Sequence, residues 1–244
     1  MAFILIVALS SLLIGLSKGG MGAALVVLVT PILTQVMPVA DAVSLSLPLL
    51  IIADVFALWA YWKTWDMHYI RLMLPLAILG IGVGTFLLAS LPDDVLRRLL
   101  GVFTLVFVAY RLLSARLQTA RYQPRDWHGY LAGAASGLGS ALANTGAPPF
   151  TAYMLLQDVS PPVFVGTTTL FFALVNLIKV PWLVAGHLLD LSDLTRILWA
   201  MPLIPVGIWL GRWLVNRMNR EVFERVMLYV LALAGLALLL LEPR

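Results

Sequence analysis

The sequence predicts an all-α polytopic membrane protein with two inverted repeats, each made of three full transmembrane helices and one broken or re-entrant helical hairpin. Three observations carry this prediction: an apolar composition, apolar stretches long enough to cross a bilayer, and a repeated spacing of proline and glycine. Of the 244 residues, 61% are hydrophobic and 11% are charged, whereas a soluble domain carries roughly 25% charged residues. Because so few charges cannot solvate a water-facing surface, lipid must be the main solvent of this chain.

The composition also excludes several classes of function. The chain has no cysteine, so it forms no disulfides, thiolate metal sites or thiol nucleophiles. Its three histidines are far apart, and the sequence has no metal-binding, serine-nucleophile or phosphate-binding motif. The net charge of +4 comes from a few loop residues, so nucleic acid is not an expected partner. We therefore expect no enzymatic activity, no metal and no cofactor.

A transmembrane helix needs about 20 residues, and six apolar segments meet this length. They begin near residues 41, 72, 95, 163, 194 and 222. The polar, basic segment 114–127 divides the chain near its midpoint and is the one clear linker. The chain is therefore predicted to consist of a first transmembrane repeat (1–113), a linker (114–127) and a second transmembrane repeat (128–244).

Two further pairs of apolar segments are interrupted by small or helix-breaking residues. The pairs are 3–17 with 21–37, and 129–147 with 149–157. The first interruption reads GLSKGGMG from Gly15 to Gly22, and the second reads NTGAPP from Asn144 to Pro149. Each pair is therefore predicted to form a broken hairpin. The break would expose unpaired backbone groups, which a membrane tolerates only where protein or a water-filled cavity surrounds them.

The two halves of the chain share residue spacings that indicate an internal duplication. The pairs separated by 127 residues are Pro75/Pro202, Gly80/Gly207, Gly84/Gly211, Asp94/Glu221 and Arg98/Arg225. Nearer the start of each half, Gly15/Gly137 and Asp54/Asn176 are separated by 122 residues. An insertion of five residues around 177–193 reconciles the two offsets. The duplication is therefore expected to cover both halves.

The number of spans predicts that the two repeats face opposite ways. A broken hairpin leaves the chain on the side where it entered, whereas three full spans carry it across the membrane, so the second half starts on the opposite side. Ten lysine and arginine residues then fall on the side of the linker and four on the other. The positive-inside rule places the linker in the cytoplasm and both termini outside.

The two interruptions are also the predicted transport site. Glycines let the backbone approach a ligand, and the N-termini of half-helices attract anions. Paired interruptions in two repeats are typical of a binding site near the middle of the membrane. Lys18 lies in the first interruption, where it would be a counter-charge for an anionic substrate. Alternatively, the first helix ends near the interface and Lys18 extends into water.

Asp54 and Asn176 occupy equivalent places within predicted spans, and Lys179 follows one turn after Asn176. A carboxylate inside a membrane is a candidate for proton coupling, and the alternative is a structural ion pair with Lys18 or Lys179. Hydroxyl groups precede these residues by two to three turns. They belong to Ser44, Ser46, Thr167, Thr168 and Thr169. These hydroxyls would bind substrate oxygens or, as is commoner in membranes, a carbonyl of their own helix.

These motifs resemble those of the TauE/SafE sulfite exporter family, in the superfamily of 4-toluene sulfonate uptake permeases. The resemblance covers essentially the whole chain, and the SKGG-x-G element that ends at Gly22 is its most specific part. The TTT run from Thr167 to Thr169, followed by Asn176 and Lys179, resembles the second-half signature of the family. The resemblance implies transport of sulfite or organosulfonates across the inner membrane of a bacterium or archaeon.

We therefore expect a secondary transporter that works by alternating access. The expected substrate-binding residues are Lys18, Gly19, Gly20, Gly22, Ser46, Asn144, Thr145, Gly146, Thr168, Asn176 and Lys179. Asp54 is the expected residue for coupling to protons or sodium. The alternatives are an anion channel and a non-transporting membrane scaffold. The sequence leaves open which anion moves, in which direction, and whether the protein forms a homodimer in the bilayer.

Overall fold

The computed structural model describes residues 2–21, 24–117, 125–157, 159–189, 195 and 197–215, with isolated helical positions at 229, 232, 236 and 239. All regular structure in these residues is helical. The helices are α1 (Ala2–Leu16), α2 (Ala24–Leu33), α3 (Val39–Ala60), α4 (Met67–Ser90), α5 (Asp93–Leu117), α6 (Asp126–Ala143), α7 (Ala147–Met154), α8 (Pro161–Ala185) and α9 (Leu203–Val215). A π-helical turn, Ser17–Met21, continues α1, and a 3-10 turn, Leu198–Ala200, precedes α9.

Four helices in the described part of the chain are long and apolar enough to cross a membrane: Ala2–Gly19, Val39–Ala60, Met67–Ser90 and Pro162–Ala185. The predicted spans from 41, 72 and 163 are thereby confirmed, and the segment from 95 is the 25-residue helix α5. The protein is a helical membrane protein. The segment from 222 lies outside the described residues, apart from the four isolated positions.

The segment predicted as one span from 194 is divided in its described part. A 3-10 turn ends at Ala200, and the 13-residue helix α9 begins after Pro202. Proline has no backbone N–H, so it separates the two pieces, whereas Pro205 lies in the first turn of α9, where no N–H is needed. The apolar stretch was visible in the sequence, but its division was not predicted.

The two predicted interruptions differ in geometry. At the first, the chain stays helical through the π turn Ser17–Met21, and α2 begins at Ala24. A π turn keeps the backbone paired through i→i+5 bonds, so this part of the interruption exposes little unpaired backbone. At the second, α6 ends at Ala143 and is capped by Asn144, which has the left-handed value φ 55°. The N–H of Thr145 donates to Gly139 O at 3.0 Å, which closes the end of α6 before α7 begins.

The apolar cores divide most of the helices into two sets, which we call unit 1 and unit 2. Unit 1 contains α1, α2, α3 and α9, which share one core that includes Ile14, Val29, Leu49 and Ile204. Unit 2 contains α4, α7 and α8 around a second core, with α6 packed along α4. A third core joins the units through α3, α4, α5, α6 and α8. Each unit thus combines three helices from one half of the chain with one helix from the other half.

Glycines bring the backbones together at matching places in the two units. A methyl group at Gly15 in α1 would overlap the carbonyl oxygen of Ile204 in α9. A methyl group at Gly137 in α6 would overlap the carbonyl oxygen of Ala77 in α4. The glycines are 122 residues apart and their partners 127 residues apart, which are the two offsets of the sequence duplication. Small residues at such crossings let membrane helices pack closely.

Candidate functional site

Lys18 and Asp54 form a part-buried ion pair between the first interruption and α3. The Lys18 ammonium lies 2.5 Å from Asp54 Oδ1, and the two side chains are 17% and 3% exposed. Asn176 on α8 donates through Nδ2 to Asp54 Oδ2 at 2.7 Å. Both oxygen atoms of the Asp54 carboxylate therefore have a partner: Lys18 of unit 1 contacts one, and Asn176 of unit 2 donates to the other. The sequence left open whether Asp54 pairs with Lys18 or with Lys179. The structure contains the ion pair with Lys18.

A second group of contacts surrounds Lys179, which is fully buried on α8. Its ammonium donates to Asn144 Oδ1 at 2.6 Å and to Ser140 O at 3.2 Å. Asn144 in turn donates through Nδ2 to Ser46 Oγ at 2.8 Å and Thr30 Oγ1 at 3.4 Å. Lys179 is thus linked through one amide to two hydroxyl groups of unit 1.

The position of Lys179 follows from the end of α6. The last carbonyls of a helix have no partner within the helix and carry the negative end of its dipole. Ser140 O lies just before these carbonyls; it accepts the helical hydrogen bond of the Asn144 N–H and, with its second lone pair, that of Lys179. The left-handed backbone at Asn144 turns its side chain back toward α3 and α8. The last turn of α6 and the second interruption therefore each supply one oxygen atom to a buried cation.

The two groups of contacts are continuous. Asn176 and Lys179 are three residues apart on α8, which places them on one face of the helix. We call the resulting set the central polar cluster; it contains Lys18, Thr30, Ser46, Asp54, Asn144, Asn176 and Lys179. Its members come from the first interruption, α2, α3, the second interruption and α8. The cluster therefore connects both interruptions across the boundary between unit 1 and unit 2.

The structure brings six of the predicted site residues into this cluster. They are Lys18, Ser46, Asn144, Asn176 and Lys179 among the predicted substrate ligands, together with the predicted coupling residue Asp54. Thr145 and Gly146 shape the second interruption instead: Thr145 donates to Gly139 O, and a methyl group at Gly146 would overlap Ser136 O.

The predicted glycines of the first interruption lie on the π turn beside Lys18. Gly19 is buried, and Gly20 belongs to the same turn. A methyl group at Gly211 of α9 would lie 3.1 Å from the Cα atom of Gly19, so this part of the turn packs against α9. Gly22 lies outside the described residues.

Thr168 is placed away from the cluster. Its hydroxyl donates to Phe164 O in its own helix at 2.7 Å, and eight residues, or about 12 Å of helix, separate it from Asn176. Ser44 likewise donates to Ala40 O. Thr167 accepts the N–H of Asp66 at 2.9 Å and so holds the segment before α4 against α8. The own-helix alternative therefore applies to Ser44 and Thr168, and also to the proton of Ser46, which Ala42 O accepts.

Thr30 is the member of the cluster that sequence reasoning missed. Its hydroxyl donates to Ala143 O at 2.8 Å and accepts the side-chain N–H of Asn144. These partners are 113 and 114 residues away, and nothing in the apolar sequence around Thr30 indicates them. Ser140 O was also not predicted as a ligand of Lys179.

These features define a class: a polytopic helical membrane protein with buried lysines beside interrupted helices, the arrangement of membrane transport proteins. The family comparison is specific. The chain belongs to the sulfite exporter TauE/SafE family, whose model matches residues 7–238, nearly the whole chain. This is a family of transporters, which agrees with the expectation that the protein is not an enzyme. No curated protein and no solved structure matches the chain.

Proposed function

We propose that the protein is a secondary transporter that moves sulfite or organosulfonates across the inner membrane by alternating access. The observation that carries this proposal is the central polar cluster, in which a part-buried lysine, a fully buried lysine and a buried carboxylate lie where the two helical units meet. With both lysines protonated, these three side chains have a net charge of +1. An uncompensated charge in a membrane is costly, and a small monoanion balances it.

The chemistry of the cluster favours an oxyanion over a cation or a sugar. Two of the three N–H donors of Lys179 are used by Asn144 and Ser140, which leaves a third for a ligand. Lys18 is the more accessible of the two lysines, and its partner is a carboxylate, an oxyanion that belongs to the protein itself. A sulfite or sulfonate group presents the same kind of oxygen atoms to the same ammonium group.

Asp54 suits the coupling role because it competes with the substrate for Lys18. Protonation of Asp54 removes its charge, releases Lys18 and so favours binding of the anion. A sodium ion on the carboxylate has the same effect. Coupling of this kind is reciprocal, because an anion bound to Lys18 must equally favour the ion on Asp54.

The contacts of α3 and α8 support an inverted arrangement of the repeats. Asp54 and Asn176 are equivalent in the duplication, and they bond to each other. A residue that contacts its own equivalent lies close to the axis that relates the two repeats. Val43 and Leu47, in the first half of α3, share a core with Leu183 near the end of α8, so the two equivalent helices run in opposite directions.

For alternating access, we propose that the moving bodies are unit 1 and unit 2, and not the two halves of the sequence. The close glycine contacts bind α1 to α9 and α6 to α4, so each pair moves together. The boundary between the units is crossed at the cluster by hydrogen bonds of Asp54 and Asn144. Such polar contacts can be exchanged for substrate or water as the units move.

Cross-linking tests this movement, since the chain has no cysteine of its own. Leu47→Cys with Leu142→Cys places one cysteine of each unit in the core that the units share and is intended to link them. Ile14→Cys with Ile204→Cys places both cysteines in the core of unit 1 and is the control. Oxidation of the first pair is expected to stop transport, with recovery on reduction, whereas the control pair keeps transporting. Full transport by the cross-linked first pair would exclude movement between these units.

We propose that the membrane orientation follows the charge bias, with the linker in the cytoplasm and both termini outside. A single cysteine at Gln118 in the linker should react with a membrane-impermeant thiol reagent only when the cytoplasmic face is accessible. If the reagent labels this cysteine in intact cells, the linker lies outside and the proposed orientation is wrong.

The proposed function is tested directly with the purified protein in proteoliposomes. We expect saturable uptake of sulfite that depends on a proton or sodium gradient and is absent from empty liposomes. Non-saturable flux that chloride shares equally would favour the channel, which needs no coupling carboxylate. A protein that moves neither sulfite nor an organosulfonate such as taurine under any gradient would overturn the proposal.

A further inference from the structure

The side-chain amide of Asn144 is held from both ends. Its oxygen accepts a hydrogen bond from the Lys179 ammonium, and its nitrogen donates to the hydroxyls of Ser46 and Thr30. Lys179 belongs to unit 2, as does Asn144 itself, whereas Ser46 and Thr30 belong to unit 1. The amide is therefore a short bridge between the units at the second interruption.

The direction of this bridge follows from the number of protons. A hydroxyl group has one proton to donate. The proton of Thr30 is used by Ala143 O at 2.8 Å, and that of Ser46 by Ala42 O at 2.8 Å. Neither hydroxyl can donate to Asn144, so both can only accept from its NH₂ group. Lys179 can only donate and so requires the amide oxygen, and the two hydroxyls of unit 1 require the same orientation of Asn144.

The hydroxyls of Ser46 and Thr30 differ in the carbonyl to which each donates its proton. Ser46 donates within its own helix, so its other role is to accept from Asn144. Thr30 donates to the backbone of Ala143, the last residue of α6, and accepts from the next residue along the chain. It therefore holds both the backbone and the side chain at the second interruption, from a helix of the other unit.

We propose that Thr30 is a positioning residue of the transport site, which acts on the substrate through Asn144 and Lys179. By holding the end of α6, it keeps the Asn144 oxygen on Lys179 and so directs the remaining donor of that lysine to the substrate. This inference deepens the proposed function and rests on it. The proposal also implies that the contact between α2 and the second interruption breaks and reforms as the units move.

The test compares a buried threonine of α2, Thr30, with the buried threonine that directly follows α2, Thr34. Thr30→Val removes the hydroxyl that reaches Ala143 and Asn144, whereas Thr34→Val removes one that donates to Pro31 O in its own segment. Both threonines are fully buried, so the two substitutions have similar packing costs. Sulfite uptake into proteoliposomes is measured over a range of sulfite concentrations for each full-length variant, with Thr30→Ser as the rescue variant.

We expect Thr30→Val to raise the half-saturating sulfite concentration about tenfold, which corresponds to ~1.4 kcal/mol. Thr34→Val should stay within about twofold, and Thr30→Ser should recover most of the affinity because it keeps the hydroxyl. If Thr30→Val does not fold, Thr30→Cys gives the same comparison, since a thiol is a weak donor. Equal affinities for Thr30→Val and Thr34→Val would overturn the inference.

A second measurement separates this inference from the proposed function. Backbone hydrogen exchange at residues 144–146 should be faster in Thr30→Val than in Thr34→Val, whatever the protein transports. If the unsubstituted protein moves no sulfite but this difference is present, the transport proposal fails and the positioning contact stands. If exchange is the same in both variants, Thr30 does not position the second interruption.

Discussion

Lys18→Ala is expected to abolish sulfite transport and to lower the free energy of unfolding by about 3 kcal/mol, the lower end of the cost of breaking a buried ion pair. The substitution removes the ammonium that the anion would bind and leaves Asp54 buried without its cation. Asn176 still donates to the second carboxylate oxygen, but one neutral hydrogen bond does not replace the charge. Transport is measured in proteoliposomes, and stability by chemical denaturation in detergent.

A double substitution separates the structural part of this effect from the functional part. In Lys18→Met with Asp54→Asn, both charges are removed and the shapes are nearly kept, so most of the lost stability should return. Transport should remain absent, because the site still lacks its first cation. Recovery of transport in the double variant would show that Lys18 serves only to neutralise Asp54.

Asp54→Asn alone is expected to uncouple uptake from the ion gradient.

Lys179→Met is expected to weaken sulfite binding about 100-fold, or ~2.7 kcal/mol, while the protein still folds. The substitution removes the second cation, so the two ionisable side chains that remain in the cluster, Lys18 and Asp54, are neutral in total and no longer favour an anion. Methionine fills a similar volume, and the printed partners of Lys179 are neutral oxygen atoms, so the main cost to stability is the unpaired Asn144 Oδ1, about 1–3 kcal/mol. The measurement is the rise in melting temperature with added sulfite, which reports binding to the folded state.

Thr168→Val is the control for this experiment. Thr168 lies on the same helix, but its hydroxyl donates to Phe164 O and not to the cluster. Sulfite should stabilise this variant as much as it stabilises the unsubstituted protein. If sulfite still stabilises Lys179→Met fully, Lys179 is a structural lysine that only closes the end of α6. A loss in Thr168→Val would place the substrate nearer the start of α8 than we propose.

Features that depend on local chemistry were predictable from the sequence. The shortage of charge made lipid the solvent, and apolar length alone was enough to find α3, α4 and α8. The second interruption was predicted from its small and helix-breaking residues, and the chain does leave the α-helix there, at Asn144 with its positive φ. The duplication placed Asp54 and Asn176 at equivalent positions before any contact between them was known.

Long-range contacts were decided by packing. The sequence did not show that α4 and α9 pack in the unit of the other half, because an apolar helix with spaced glycines fits any partner that also has small residues. Nor did it pair Lys179 with Asn144 or find Thr30, since a hydroxyl in an apolar helix has no local signal for a partner 114 residues away. Composition and backbone preference therefore determine where the chain spans and breaks, whereas the close approach of the two units determines which polar groups meet there.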